Sequence, residues 1–334
     1  MTKCDRLMAA VGGREVDRVP VSMWRHFPNG DRTAEELAGR TVEFQRRFDF
    51  DFIKLTPMGL YGVEDWGTVP KYFPGSQKPP VPARFAVVDE TGWDRIGRLS
   101  VSAGRYGQEV HAVRIVREGI GNEVPILQTL FSPMTTALKL AGEFAVACLR
   151  GSSARLGKAL SAIAETTVEF AQACLKAGAD GFFFATKCAS AEVVTEQEHD
   201  ALVRSSDLAV LDVLASWDAL LMLHVHGLKP HVKLLLEYPA HIVNWHDRRT
   251  RLSLRDARNL TSRCLAGGID ERGTLVEGTI DEIVRQVTDA LMQTGGKGLI
   301  ITPGCVVPPE CEDMRYQAVL DAALARTGAP ARQV

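Results

Sequence analysis

Eight short runs of β-forming residues, each followed by a stretch long enough to cross back as a helix, recur along the 334-residue chain. They are residues 19–24, 52–56, 124–130, 182–186, 219–227, 241–245, 264–270 and 298–302. Parallel strands need such crossovers, so the alternation predicts a parallel sheet with helices packed on it. Eight units in a chain of this length favour a closed (β/α)8 TIM barrel, one domain over 1–334, over an open doubly wound sheet. The helical stretches carry end signals. Residues 33–48 have Glu35 and Glu36 early and Arg46 and Arg47 late, and Ser132-Pro133 caps a helix expected through residue 149. Further helices are expected over 152–176, from the capping pattern Thr195-Glu196-Gln197-Glu198 toward Trp217, and over 280–293. Residues 57–122 break the rhythm. They are expected to form an insertion over the barrel mouth, with a hairpin around residues 85–93 serving as a lid or binding loop.

Composition narrows the function classes. The chain is 46% hydrophobic and 24% charged, with a formal net charge of −2, so it has no basic field suited to nucleic acid. No apolar run reaches about 18 residues, and the first residues lack a signal-peptide core. A cytoplasmic protein with a small-molecule substrate and no membrane partner is expected. Seven scattered cysteines read as reduced thiols rather than a disulfide framework. Gly267-Gly268 and Gly295-Gly296 lack the context of a dinucleotide fingerprint, so no nicotinamide cofactor is expected.

In such a barrel the residues just past the strand ends share one mouth and carry the chemistry. His224 and His226 end the fifth run; at i and i+2 on a strand they point to one face, roughly 6–7 Å apart. Cys305 follows the eighth run, and His246 or Asp247, with Asp247 preferred, follows the sixth. Two imidazoles, a thiolate and one further donor suit tetrahedral Zn2+ better than Mg2+. Arg25 is a candidate to grip an anionic substrate and act in catalysis. Tyr61 and Trp66 are candidate pocket walls, and Gln128 and Lys187 candidate substrate contacts. Were water the fourth metal ligand, His26 and Asp270 would be the nearest general bases.

Several segments, in order, resemble the uroporphyrinogen decarboxylase superfamily: Arg18-Val19-Pro20-Val21 leading to Arg25, Phe131-Ser132-Pro133-Met134-Thr135, Ala177-Gly178-Ala179-Asp180, His224-Val225-His226-Gly227, Gly267-Gly268-Ile269-Asp270 and Thr302-Pro303-Gly304-Cys305. The resemblance implies a (β/α)8 barrel and one of two activities: cofactor-free decarboxylation of uroporphyrinogen, or zinc-dependent methyl transfer between a corrinoid protein and a thiol. The methyltransferase branch implies ligands at His224, His226 and Cys305, with the departure that a Cys is expected where His226 stands. The decarboxylase branch implies a second arginine four residues after Arg25 and an Asp near the end of the second strand. Asn29 and Lys54-Leu55-Thr56-Pro57 stand there instead. The methyltransferase branch is therefore the nearer, with Zn2+ as cofactor, a corrinoid protein as partner and a homodimer among the assemblies to test. A ligand-binding barrel without catalysis is the remaining class.

Overall fold

The computed structural model describes residues 1–325. Among these the strands, in chain order, are β1 (Ile53–Leu55), β2 (Val69–Lys71), β3 (Val81–Arg84), β4 (Ile126–Phe131), β5 (Gly181–Thr186), β6 (Leu220–Val225), β7 (Ile242–Trp245), β8 (Cys264–Ile269) and β9 (Leu299–Pro303). One parallel sheet of seven strands runs β1-β4-β5-β6-β7-β8-β9, and β2 pairs with β3 antiparallel.

The sheet curls until both of its edges bond to residues 20–22. Ile301 N donates to Pro20 O at 2.9 Å and Ser22 N to Ile301 O at 3.1 Å, on the β9 side. On the β1 side, Asp51 N donates to Val21 O at 2.9 Å and Ser22 Oγ to Phe52 O at 2.8 Å. The first expected strand is thus present only as single bridges, Val21 with Ile301 and Arg25 with Val307. The cause is local: Pro20 has no N–H, and the Val21 N–H is taken by the Asp51 carboxylate at 2.7 Å. Asp51 is fully buried and also accepts from Arg6 at 2.8 Å and from Arg18 at 2.5 and 2.8 Å.

Strand alternation sorts the residues. On β6, Leu221, Leu223 and Val225 pack into the larger core with the helices, whereas Leu220 and Met222 join Trp24, Phe52, Leu127 and Phe183 inside the curl. His224 continues the inner series and stacks on Phe183, ring centroids 5.1 Å apart and planes 25° off parallel.

Helices Ala34–Phe48, Ala154–Ala177 and Ile280–Thr294 form close to where the end signals place them. The first has a full capping box at Thr33 with Glu36, and Arg46 and Arg47 in its last turn. Three expectations need correction. The helix expected to residue 149 is two, Pro133–Ala141 and Phe144–Arg150, because Gly142 adopts φ +62° and ends the first. The hairpin is not at 85–93: Glu90–Arg95 is a 3-10 turn, and the antiparallel pair is β2 with β3. Most of all, residues 57–122 are not one irregular insertion. Gly104–Ile120 is a 17-residue helix packed against Ala34–Phe48 and Ala154–Ala177.

Candidate metal centre

Four side chains converge where the inner faces of the strands end. One donor atom from each of His224, His226, His246 and Cys305 lies within 4.8 Å of every other. The three imidazole centroids are 5.5 to 6.1 Å apart, and His226 Nδ1 is 3.6 Å from Cys305 Sγ. His224 and His246 are buried, while His226 and Cys305 are half-buried and face a cavity.

Backbone geometry supplies the approach. Gly227 has φ +119°, which turns the chain sharply just after His226, and a Cβ there would lie 2.5 Å from Ser190 Oγ. A Cβ on Gly304 would come within 2.9 Å of His246 Cα, so only glycine lets the segment after β9 bring Cys305 against β7.

Hydrogen bonds behind the cluster fix two of the rings. His224 Nδ1 is 2.6 Å from Asn244 Oδ1, and Asn244 Nδ2 donates to Ala266 O and Pro303 O at 2.9 and 3.1 Å. His246 Nδ1 is 2.9 Å from Glu271 Oε1. Each ring is left with Nε2 toward the cluster, the usual arrangement around a metal-binding imidazole. Burial alone would raise the Cys305 thiol, but His224, with hydrogen bonds from His224, His226 and His246, holds it well below the ordinary thiol range. Burial would lower His246; its bonds to Cys305 and Glu271 instead lift it to about 9. Burial lowers His224 despite Cys305. A thiolate among three imidazoles with two of their second nitrogens anchored fits Zn2+ in donor type and number.

The cluster lies at one wall of a cavity of about 690 Å³. Residues 76–79, between β2 and β3, line it, as do Pro57 and Gly59, so part of the 57–122 region reaches this opening. Of the residues singled out in the sequence, His26 and Lys187 line it as well. His26 Nδ1 is shielded and lacks a hydrogen-bond partner, and burial, with Lys54 nearby, pushes that imidazole down to about 4.

Other expected site residues point elsewhere. The Asp247 carboxylate accepts from Gly268 N at 3.0 Å and lies beside Arg248, away from the cluster, so His246 takes the fourth position. Arg25 donates to Pro309 O and packs over Phe27, outside the cavity. Strand β8 ends at Ile269, and Asp270 turns back to accept from Arg272 N and Gly273 N, both at 3.1 Å, which leaves Glu271 to reach His246. Tyr61 is a core residue donating to Thr129 O at 2.7 Å, Trp66 Nε1 donates to Gly97 O at 2.7 Å, and Gln128 is fully buried beside Thr129.

Residues not singled out in the sequence are Asn244, Glu271, Lys54 and Lys139. Asn244 and Lys54 carried a usable signal: each is a polar residue two positions along from an inward apolar one, Ile242 and Phe52 respectively.

Methylcobamide:CoM methyltransferase MtbA of Methanosarcina mazei is 22% identical, with 96% of this chain and 97% of that protein covered. Its counterpart in Methanosarcina acetivorans is 21% identical over the same shares. A methyltransferase structure from Methanosarcina mazei superimposes with a TM-score of 0.86 at 20% identity, covering 97% of this chain and 98% of that one. A Shewanella B12-independent methionine synthase in complex with selenomethionine superimposes at 0.62, with 14% identity and 93% and 97% coverage. The family model described as Uroporphyrinogen decarboxylase (URO-D) matches residues 2–325, and the chain belongs to that family.

Proposed function

We propose that this chain is a zinc-dependent methyltransferase that moves a methyl group from a corrinoid to a thiol, with His224, His226, His246 and Cys305 as the metal ligands. The observation that carries the reading is the convergence of those four donors at the wall of a ligand-sized cavity. The names of the two relatives that align with 96% of the chain support the donor and acceptor classes. In this reading residues 19–25 count as the eighth stave of a (β/α)8 barrel, residues 76–79 act as a lid, and a corrinoid-carrying partner meets the chain at the cavity mouth.

Zn2+ would supply Lewis acidity, holding a sulfur ligand as thiolate near neutral pH. The chain's part is orientation. Asn244 and Glu271 fix the rings of His224 and His246, and the cavity wall of Trp24, Phe131 and Phe183 keeps the reacting end dry. With a methylcorrinoid as donor substrate, the thiolate would take the methyl group to form the new CH3–S bond, and the electron pair of the broken methyl–cobalt bond would remain with the donor. The thiol proton leaves to solvent. His226 in place of a second thiolate leaves more net positive charge at the centre. That lowers the pKa of a substrate thiol further while making its thiolate a weaker nucleophile.

Decarboxylation of uroporphyrinogen finds less support. A substrate with many carboxylates calls for several guanidinium groups, and Arg272 is the one arginine among the described residues lining the cavity. Zinc content, followed by anaerobic incubation with methylcobalamin and 2-mercaptoethanesulfonate, tests the proposal: about one zinc per chain and conversion of methylcobalamin to cob(I)alamin are expected. A metal-free parent protein after growth with added zinc, or turnover of uroporphyrinogen instead, would overturn it.

A further inference from the structure

The three imidazoles of the cluster are held in different ways. Asn244 and Glu271 bond the second nitrogens of His224 and His246. His226 has no such partner. Its Nδ1 is the nitrogen turned to Cys305 Sγ, at 3.6 Å, and among the described residues nothing hydrogen-bonds its Nε2. Packing does not hold the ring either. His226 lines the cavity of about 690 Å³ and also a second one of about 720 Å³, bounded by Leu138, Val146, Ser190 and Glu192, so it borders open space in both. Its direction therefore comes from the main chain.

That main chain is a turn just beyond β6. His226 N donates to Thr186 O at 3.0 Å, the last rung to β5, and Gly227 at φ +119° then swings the chain away from the sheet. The next amide is caught by a side chain: Leu228 N donates to Glu192 Oε2 at 2.6 Å. Ser190 Oγ donates to the same oxygen at 3.3 Å and accepts from Glu192 N at 3.3 Å, which fixes the carboxylate on its own loop. Further on, Ala191 N donates to Lys229 O and His231 N to Ala189 O, both at 2.9 Å, tying the loop after β5 to the loop after β6. A Cβ at position 227 would lie 2.7 Å from Glu192 Oε2, so the carboxylate rests directly against the turn. Among the described residues Glu192 has no basic side chain within ion-pair distance.

We propose that Glu192 is a positioning residue for the metal centre: by holding the Leu228 amide it sets the turn that aims His226 at the ion. The assignment rests on the four-donor reading of the cluster and accounts for the one ring in it that no side chain orients. A hydrogen bond from an amide to an ionised carboxylate is charge-assisted. Without it Gly227, which has no Cβ to limit its backbone, is free to take other conformations and to carry the ring with it. The bond needs an acceptor oxygen at this reach rather than a charge, so glutamine serves at position 192 and alanine does not.

Zinc affinity of the full chain, by competition with a chelating dye, tests this. Glu192→Ala is expected to bind about tenfold more weakly than the parent, and Glu192→Gln within about threefold of it. A cycle decides whether the effect runs through the ring: in a His226→Ala background, Glu192→Ala should change the remaining affinity by less than about twofold. In Co2+-loaded protein the visible bands, intense for four-coordinate cobalt, should weaken in Glu192→Ala and return in Glu192→Gln. In metal-free protein the Leu228 amide should exchange at least about tenfold faster in Glu192→Ala than in the parent. Arg150→Ala, which breaks the pair with Glu198 on the wall of the same second cavity, should leave affinity and cobalt spectrum unchanged. A parent that takes up no zinc overturns the four-donor reading and the positioning role with it. A parent that loads while Glu192→Ala matches it in affinity and spectrum, an equal loss in both His226 backgrounds, an unchanged Leu228 exchange rate, or Glu192→Gln as weak as Glu192→Ala overturns the positioning role alone.

Discussion

Glu271 Oε1 lies 2.9 Å from Nδ1 of His246, with both side chains buried. That contact sets which ring nitrogen of His246 faces Cys305, and Arg249 lies 3.6 Å from the same oxygen. Glu271→Ala is expected to lower zinc affinity by about 10- to 100-fold, the usual loss when an orienting partner is removed. Competition with a chelating dye measures it. Unchanged affinity would mean that Glu271 does not orient the ligand.

The four donors should contribute unequally. Cys305→Ser and His226→Ala are expected to lose most of the metal found in the parent, because a thiolate and a cavity-facing imidazole are removed from the half-buried side. His246→Ala removes a buried donor and keeps both the thiolate and the cavity-facing imidazole, and is expected to retain zinc with weaker affinity. Metal analysis of protein purified without chelator decides this; Cys305→Ser binding as tightly as the parent would contradict the ligand set.

Asp51 ties Arg6 and Arg18 to the segment that joins the sheet edges. Asp51→Ala leaves the largely buried Arg18 guanidinium without its carboxylate, takes one of two acid partners from Arg6, which keeps Asp17, and frees the Val21 N–H. An apparent destabilisation of about 3–5 kcal/mol is expected by urea unfolding. A loss below about 1 kcal/mol would show that water replaces the carboxylate without strain.

Acid binding should depend on pH through Lys54, pushed down to about 7 by burial with the Cys305 charge opposing. His26, Lys139, Lys187 and Cys305 are among the other titratable groups around the cavity. Acids bind the ammonium form, which empties as pH rises through that value. The affinity for propionate should therefore fall between about pH 6 and pH 9, approaching about tenfold per unit at the upper end. Lys54→Arg, charged throughout, should flatten the profile. A profile identical in parent and Lys54→Arg would assign the dependence to another group.

The elements with strong periodicity and caps were legible in the chain: the helix at Ala34–Phe48 through Thr33 and Glu36, and β6 through its unbroken apolar run. The helix Gly104–Ile120 was not. It begins at Gly104 behind Ala103, which offers no side-chain cap, has no acid in its first turn, and buries Arg105 and Glu109 on the face where apolar residues would signal a helix. His224, His226 and Cys305 could be found because strand spacing and strand-end position place them together. Asp247 over His246 could not be settled that way. The choice depends on how the chain turns after Trp245, where Gly268 N captures the aspartate. Arg25 misled for a similar reason: the loop carrying Pro309 offered its guanidinium a carbonyl.

Residues 20–22 close the curl without a continuous ladder, and Cys305 follows β9, the strand that borders this seam. The imidazoles come from the ends of β7 and β6, two and three strands in from β9. A bound ion would therefore act as a cross-brace, pinning the weakest-laced edge of the sheet to its interior. Amides of residues 300–307 should exchange with solvent more slowly in zinc-loaded protein than in stripped protein, and the loop that carries the thiolate becomes the part of the molecule whose rigidity follows the metal supply.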